Sequence, residues 1–282
     1  MDARQRAFAA RISEAFPDLS ITTLAEMPHL GWGGDSDAWL VSGDLIMRFP
    51  RTAEVAEQLA VEARVLPQLA PTLPLAIPAF SHVARDAPGA PPRFAGYPLI
   101  RGEPLMPALL NDLVPDEAER AALASALGGF LARLHAFPLE RALACGVAEA
   151  MREPERTRAL YERVRELVYP RLSPPLRVWT DHLFGDALAR PDLWDYTPAL
   201  VHGDLSGDHI LFDVAACRVT GIIDFGDMGV GDPLGDFVGL APYGEAFVAG
   251  ALAAYAEPER LGLLARDRLT FYRQRLPFIA LA

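Results

Sequence analysis

The residues best suited to chemistry cluster between positions 202 and 227. His202-Gly203-Asp204 opens a loop running through Leu205-Ser206-Gly207-Asp208 to His209, and Asp224-Phe225-Gly226 follows downstream. Phosphoryl transfer uses an aspartate that takes the proton of the attacking hydroxyl and a second polar ligand five residues later. It also uses a downstream Asp-Phe-Gly whose carboxylate holds the metal. Asp204 fills the first position, His209 the second and Asp224 the third. On this reading Asp204 is the base, and Mg2+ held by His209 and Asp224 bridges the nucleotide phosphates. Either tripeptide alone reads as an ordinary turn; the signal lies in their spacing and in the short apolar runs beside them.

Those runs cover 199–202, 210–212 and 219–223, with a turn-like Val214-Ala215-Ala216-Cys217-Arg218 between the last two. A hairpin there would bring both carboxylates to one edge. The texture upstream is different. After a short leading helix, residues 20–26, 38–41, 44–49, 77–83 and 94–100 alternate apolar and polar side chains between Gly turns, the pattern of an antiparallel sheet. One helix interrupts the sheet, with Thr52 as N-cap, running to about Leu69 and carrying Val55, Leu59, Glu62, Ala63 and Leu66 on one face. Beyond Arg101-Gly102-Glu103-Pro104 the pattern turns helical, most clearly at 116–137, where Leu123, Leu127, Phe130, Leu131 and Leu134 form a stripe. The expected fold class is α+β: residues 1–101 form a small sheet-plus-helix lobe that binds nucleotide, and residues 102–282 a larger, mainly helical lobe for catalysis and acceptor binding.

Composition narrows the partners. The 282 residues are 51% hydrophobic, enough for a full core, and the 25 Pro and 22 Gly are scattered, which argues against disordered or collagen-like chains. All 26 basic residues are Arg, against 37 acidic ones, for a net charge of −11. Such a balance disfavours nucleic acid and anionic membrane and suits a cationic small molecule. No apolar stretch approaches a membrane span or a secretory leader, so a cytoplasmic location is expected. Cys145 and Cys217 are far apart and have no ligand-like spacing to His or each other, so neither a zinc site nor a disulfide framework is expected.

The chain resembles the aminoglycoside phosphotransferase family, which has a two-lobed protein-kinase-like fold. The resemblance runs from Gly31-Trp32-Gly33-Gly34-Asp35-Ser36-Asp37 through Met47-Arg48-Phe49, Gly96-Tyr97-Pro98-Leu99-Ile100-Arg101-Gly102 and Leu131-Ala132-Arg133-Leu134-His135 to the two motifs above. His209 in place of the usual Asn is most similar to the 2″-phosphotransferase branch. The resemblance implies ATP or GTP as donor, Mg2+ as cofactor, and transfer to a hydroxyl of an aminoglycoside or related amino sugar. It also implies Tyr97, Leu99 and Ile100 along the purine. Where kinases use a strand Lys paired with a helix Glu, Arg48 and Glu62 stand here; a guanidinium keeps the charge and binds phosphate as a fork. The nucleotide-covering loop lacks G-x-G-x-x-G, leaving Gly34 and Ser36 to offer an amide and a hydroxyl to the phosphates.

From 204 to 245 eight carboxylates face Arg218 alone. Asp232, Asp236 and Glu245 are therefore candidates for holding the ammonium groups of an acceptor, with capping of the local backbone as the structural alternative for Asp232 and Asp236. Trp179, Trp194, Tyr243 and Tyr272 could stack on sugar faces or simply belong to the core. Two other readings stay open: the same chemistry on a macrolide, choline-like amine, homoserine or sugar, and a non-catalytic nucleotide-binding pseudokinase.

Overall fold

A computed structural model describes residues 1–27 and 36–282. In chain order the strands are β1 (Leu24–Glu26), β2 (Ser36–Val41), β3 (Leu45–Pro50), β4 (His82–Arg85), β5 (Pro92–Pro98), β6 (Glu103–Pro104), β7 (Ala199–Val201), β8 (Ile210–Asp213), β9 (Arg218–Ile222) and β10 (Gly229–Gly231). The helices are α1 (Ala3–Ala15), α2 (Ala53–Leu69), α3 (Leu110–Leu113), α4 (Glu117–His135), α5 (Leu139–Ala144), α6 (Glu153–Arg163), α7 (Pro174–Leu188), α8 (Leu234–Val238), α9 (Glu245–Ala253) and α10 (Ala265–Leu281). Two compact units result: Met1–Pro104 with His209–Gly226, and Leu105–Asp208 with Asp227–Ala282.

The first unit is built on an antiparallel five-stranded sheet of order β1-β2-β3-β5-β4. Successive side chains of a strand point to opposite faces. Leu45, Met47 and Phe49 of β3 accordingly join Phe8 and Ile12 of α1, Trp39 and Phe94 in one apolar cluster, while Arg48 turns the other way, to Glu62 of α2. The Thr52 hydroxyl caps α2 by accepting from the Val55 amide at 3.3 Å. Residues 77–81, expected in a strand, lie outside β4. Pro78 has no N–H for a ladder, and Ala76 instead bridges to Gly221. The expected hairpin is present: β8 pairs with β9, β6 pairs with the outer side of β8, and the Asp213 side chain caps the turn by accepting from the amides of Ala215 and Ala216.

The second unit is mainly helical. Asp116 caps α4 by accepting from the Glu119 amide at 2.9 Å, and the stripe Leu123, Leu127, Phe130, Leu131 and Leu134 is buried. Gly128 lets α4 approach the backbone of α9 at Ala251. A second aromatic core joins α7 and α10 through Phe184, Phe271 and Phe278. The short strand β7 pairs with β10, Val201 opposite Gly229, a partner the sequence pattern does not indicate. Among the described residues no helix is long and apolar enough to cross a membrane.

Candidate active site

In the second unit the candidate residues begin where β7 ends. His202 is fully buried and Asp204 is exposed. Between them Gly203 has φ +88°, and a side chain there would collide with the Asp227 carbonyl, so the close approach and the left-handed backbone both require glycine. Buried Asp236 of α8 clamps this turn. Its carboxylate accepts from the amides of His202 at 2.9 Å and Gly203 at 3.0 Å, and from His135 Nε2 at 3.0 Å. On the far side of the imidazole the Tyr255 hydroxyl lies 3.0 Å from Nδ1. Burial works to raise the Asp236 carboxyl, but the hydrogen bonds and charge of His135 and the amide of His202 prevail and hold it below the usual aspartate value. Gly239, just after α8, lies against the Leu205 carbonyl, where any side chain would force the loop away.

Asp232 lies deeper in the same unit. It receives Arg268 Nε at 2.6 Å, the Tyr272 hydroxyl at 2.7 Å and the Leu234 amide at 2.9 Å. Desolvation raises its pKa despite these partners. Glu245, the first residue of α9, is largely exposed and faces Arg273 at 3.6 Å. Asp204, Asp232 and Asp236 all line one cavity of about 630 Å3; Glu245 does not. Trp194 and Tyr272 line it as well. Trp179 stacks on Phe278 and Tyr243 on Phe247.

In the first unit the β8–β9 ladder brings His209 and Asp224 together. The Ile223 amide donates to the His209 carbonyl at 2.9 Å, continuing the ladder by one step, and His209 Nε2 lies 3.4 Å from Asp224 Oδ2. Asp224 is half exposed and has φ +65°, an uncommon conformation for a residue with a side chain. Buried Phe225 anchors the next position. Arg48 donates to Glu62 Oε2 at 2.8 Å, and its Nε, though buried, has no hydrogen-bond partner among the described residues. Burial opposes the charge of Arg48, but Glu62, Tyr97 and Asp224 together raise its pKa further. Tyr97, on β5, is buried with its ring edge-on to Phe80; desolvation pushes its hydroxyl up to about 12, so it stays neutral. Leu99 and Ile100 follow half-buried, the Leu99 amide donating to the Asp44 carbonyl at 2.8 Å. Ser36 opens β2 with a buried Oγ that has no partner among the described residues; Gly34 lies outside the described residues.

The residues that hold Asp236 and Asp232 in place, His135, Tyr255 and Arg268, are ones the sequence reading assigns no role. His135 enters the sequence reading only as the end of the 131–135 stretch that carries the family resemblance, with no role of its own. Tyr255 and Arg268 carry no local signal, because their partners are 120 and 36 residues away.

Residues 27–269 match a family model described as the phosphotransferase enzyme family. A solved structure, the GDP and kanamycin complex of APH(2")-IIia, superposes with a TM-score of 0.81 at 32% identity over 95% of this chain and 88% of that one. Macrolide 2'-phosphotransferase MphH from Brachybacterium faecium superposes with a TM-score of 0.74 at 27% identity over 99% of this chain and 90% of that one. The aminoglycoside 3'-phosphotransferase of Streptomyces fradiae is 34% identical over 123 residues, 41% of this chain and 42% of that enzyme. The aligned part of the chain thus spans less than half the length of the curated relatives it matches. The clamped His-Gly-Asp turn, the paired His209 and Asp224 and the Arg48–Glu62 bridge all fall within the matched span, and the chain belongs to the phosphotransferase enzyme family, with its protein-kinase-like fold.

Proposed function

We propose that this protein transfers the γ-phosphate of ATP or GTP to a hydroxyl group of an aminoglycoside or related amino sugar. One observation carries the reading. Asp204 is exposed at a cavity large enough for a small acceptor, on a turn whose amides are held by Asp236. The likeness to an enzyme solved with GDP and kanamycin supports both the donor and the acceptor class.

In this mechanism Asp204 accepts the proton of the acceptor hydroxyl as its oxygen forms the new bond to the γ-phosphorus. The bond from that phosphorus to the β-phosphate oxygen breaks, and the nucleoside diphosphate leaves with the negative charge. Arg48, braced by Glu62, meets the donor phosphates with its unpartnered Nε, and the Ser36 hydroxyl adds a further donor. The amide of Gly34 is assigned to the same phosphates. Asp224 would hold Mg2+, a hard cation that favours carboxylate oxygen, with His209 beside it as the second ligand. When bound, Mg2+ supplies neutralisation of phosphate charge. Tyr97, Leu99 and Ile100 line the purine. Asp236 and Asp232 serve the acceptor side by holding the turn and the cavity wall, and Glu245 offers an outer carboxylate. In functional terms residues 1–101 hold the nucleotide and residues 102–282 carry the base and the acceptor site.

The test is Asp204→Asn, which keeps shape but cannot take the proton. Turnover should fall about 10²- to 10⁴-fold, the usual cost of removing a general base, while nucleotide affinity measured by calorimetry stays within about twofold. A variant retaining more than about a tenth of wild-type kcat would remove Asp204 as the base.

A further inference from the structure

A second cavity, of about 730 Å3, lies within the first unit, against the segment that joins β5 to β6. That segment crosses the β8–β9 hairpin: Gly102 packs on the Phe212 amide and the Thr220 hydroxyl, and the Ile100 side chain packs on Gly221. His209 and Asp224 lie at the open end of the hairpin, and Asp213, Val214, Ala215 and Arg218 at its turn. The turn residues line the cavity, and none of Arg48, Tyr97, His209 or Asp224 does. The crossing therefore separates it from the groups assigned to the donor phosphates and the metal.

Its walls are apolar, built from Ile77, Leu99, Ile100 and Val214, the last 49% exposed. Arg101 and Arg218 also line it; both are exposed, and neither makes a hydrogen bond or ion pair among the described residues. One unpaired arginine on a surface is ordinary. Two beside one concave apolar surface, in a chain with 37 acidic residues, offer an oxyanion two planar forks of N–H donors. Two carboxylates line the cavity as well. Asp213, opposite Arg218 in the ladder, is engaged by the amides of Ala215 and Ala216. Glu103 is exposed and has no ion pair among the described residues. Two free guanidinium forks facing one free carboxylate suit a single oxyanion better than a cation. Thr220 adds a buried Oγ1 without a hydrogen-bond partner among the described residues, a hydroxyl able to donate or accept.

We propose that this cavity is an effector site for a small monoanionic amphiphile, its apolar body seated on Ile77, Leu99, Ile100 and Val214 and its oxyanion at Arg101 and Arg218. The volume is that of a pocket for a drug-sized molecule. Leu99 and Ile100 are also assigned to the purine, so a ligand packed on them changes nucleotide affinity, and the nucleotide changes the affinity of the ligand by the same factor. The effector role rests on the phosphotransferase reading, whereas the binding site stands on the geometry of the hairpin and the segment that crosses it.

The probes are 8-anilinonaphthalene-1-sulfonate, an aromatic body with one sulfonate, and its neutral counterpart N-phenyl-1-naphthylamine, each titrated into the full chain and read by fluorescence. The sulfonate should bind at least about tenfold tighter than the neutral dye, the worth of one charge-assisted contact. Arg101→Gln and Arg218→Gln should each weaken the sulfonate about tenfold and leave the neutral dye within about twofold. Val214→Glu, at an exposed position that tolerates charge, should weaken both dyes about tenfold. Arg156→Gln, in the cavity beside Asp204, should change neither. Calorimetry with GDP and ADP reads the coupling: saturating sulfonate should shift nucleotide affinity at least about fivefold without excluding the nucleotide. Equal binding of the two dyes, or sulfonate binding indifferent to both arginine variants, overturns the site. Strict competition between sulfonate and nucleotide, or a nucleotide affinity that does not move, overturns the effector role. Sulfonate binding with the expected variant effects in a chain that binds no nucleotide defeats the phosphotransferase reading, and the effector role with it, and leaves the cavity assignment standing.

Discussion

The pairs Arg268–Asp232 in the second unit and Arg48–Glu62 in the first show how similar residue types can serve different ends. Arg268 spends its guanidinium inside the fold, on both oxygens of Asp232 and on the carbonyls of Leu193 and Leu261. Its partner Asp232 also receives the Tyr272 hydroxyl and the Leu234 amide. Arg48 makes a single bond to Glu62 and keeps a buried Nε without a partner among the described residues. A saturated network specifies a structure, because every polar group has been compensated locally. A buried donor left over carries a desolvation cost that a bound anion would offset. The same saturation holds for Asp232 and Asp236, two of the carboxylates behind the acidic count: both have partners within the fold.

Replacing each arginine by lysine tests the contrast most severely. An ammonium cannot reach two carbonyls and both carboxylate oxygens at once, so Arg268→Lys should cost about 2–4 kcal/mol of stability by urea unfolding. Arg48→Lys, which has one bond to reproduce, should cost less, about 1–2 kcal/mol in the same assay, while raising KM for the nucleotide. Similar stability losses for the two variants would erase the distinction between the two pairs.

Asp236 offers a test through pH. Its carboxyl titrates lower in the fold than in an unfolded chain, so its contribution is fully present above the unfolded value and is lost as pH falls through the folded one. Wild-type stability should therefore drop steeply below about pH 4. Asp236→Asn should be about 1–3 kcal/mol less stable at pH 7 and should show a flatter acid limb. An unchanged acid limb would mean that the clamp on His202 and Gly203 contributes nothing to folding.

The smallest expected effect concerns the nucleotide base. Tyr97 is buried near Arg48 and packs edge-on against Phe80, in the wall assigned to the purine. Truncation in Tyr97→Ala should shift the ratio of kcat/KM for ATP over GTP by about tenfold or less, the scale of one pocket contact. A ratio that does not move would assign Tyr97 to sheet packing alone.

Much of the site was readable from the chain because its signals are local. The β8–β9 hairpin follows from two apolar runs and a turn, and it sets His209 beside Asp224. Thr52 caps its helix as expected, and the alternation of β3 places Arg48 on the face opposite Met47 and Phe49. The shortened β4 was not readable, because the backbone of residue 76 answers to Gly221, a contact no local pattern encodes.

What the sequence by itself determined is the identity of the groups that can do phosphoryl chemistry and the strands and helices that carry them, since side-chain period and capping act over a few residues. Only the tertiary structure decided which carboxylates are committed within the fold. His135 meets Asp236 across 101 residues and Arg268 meets Asp232 across 36. Whether a buried charge is satisfied depends on partners brought in by packing rather than on its neighbours in the chain.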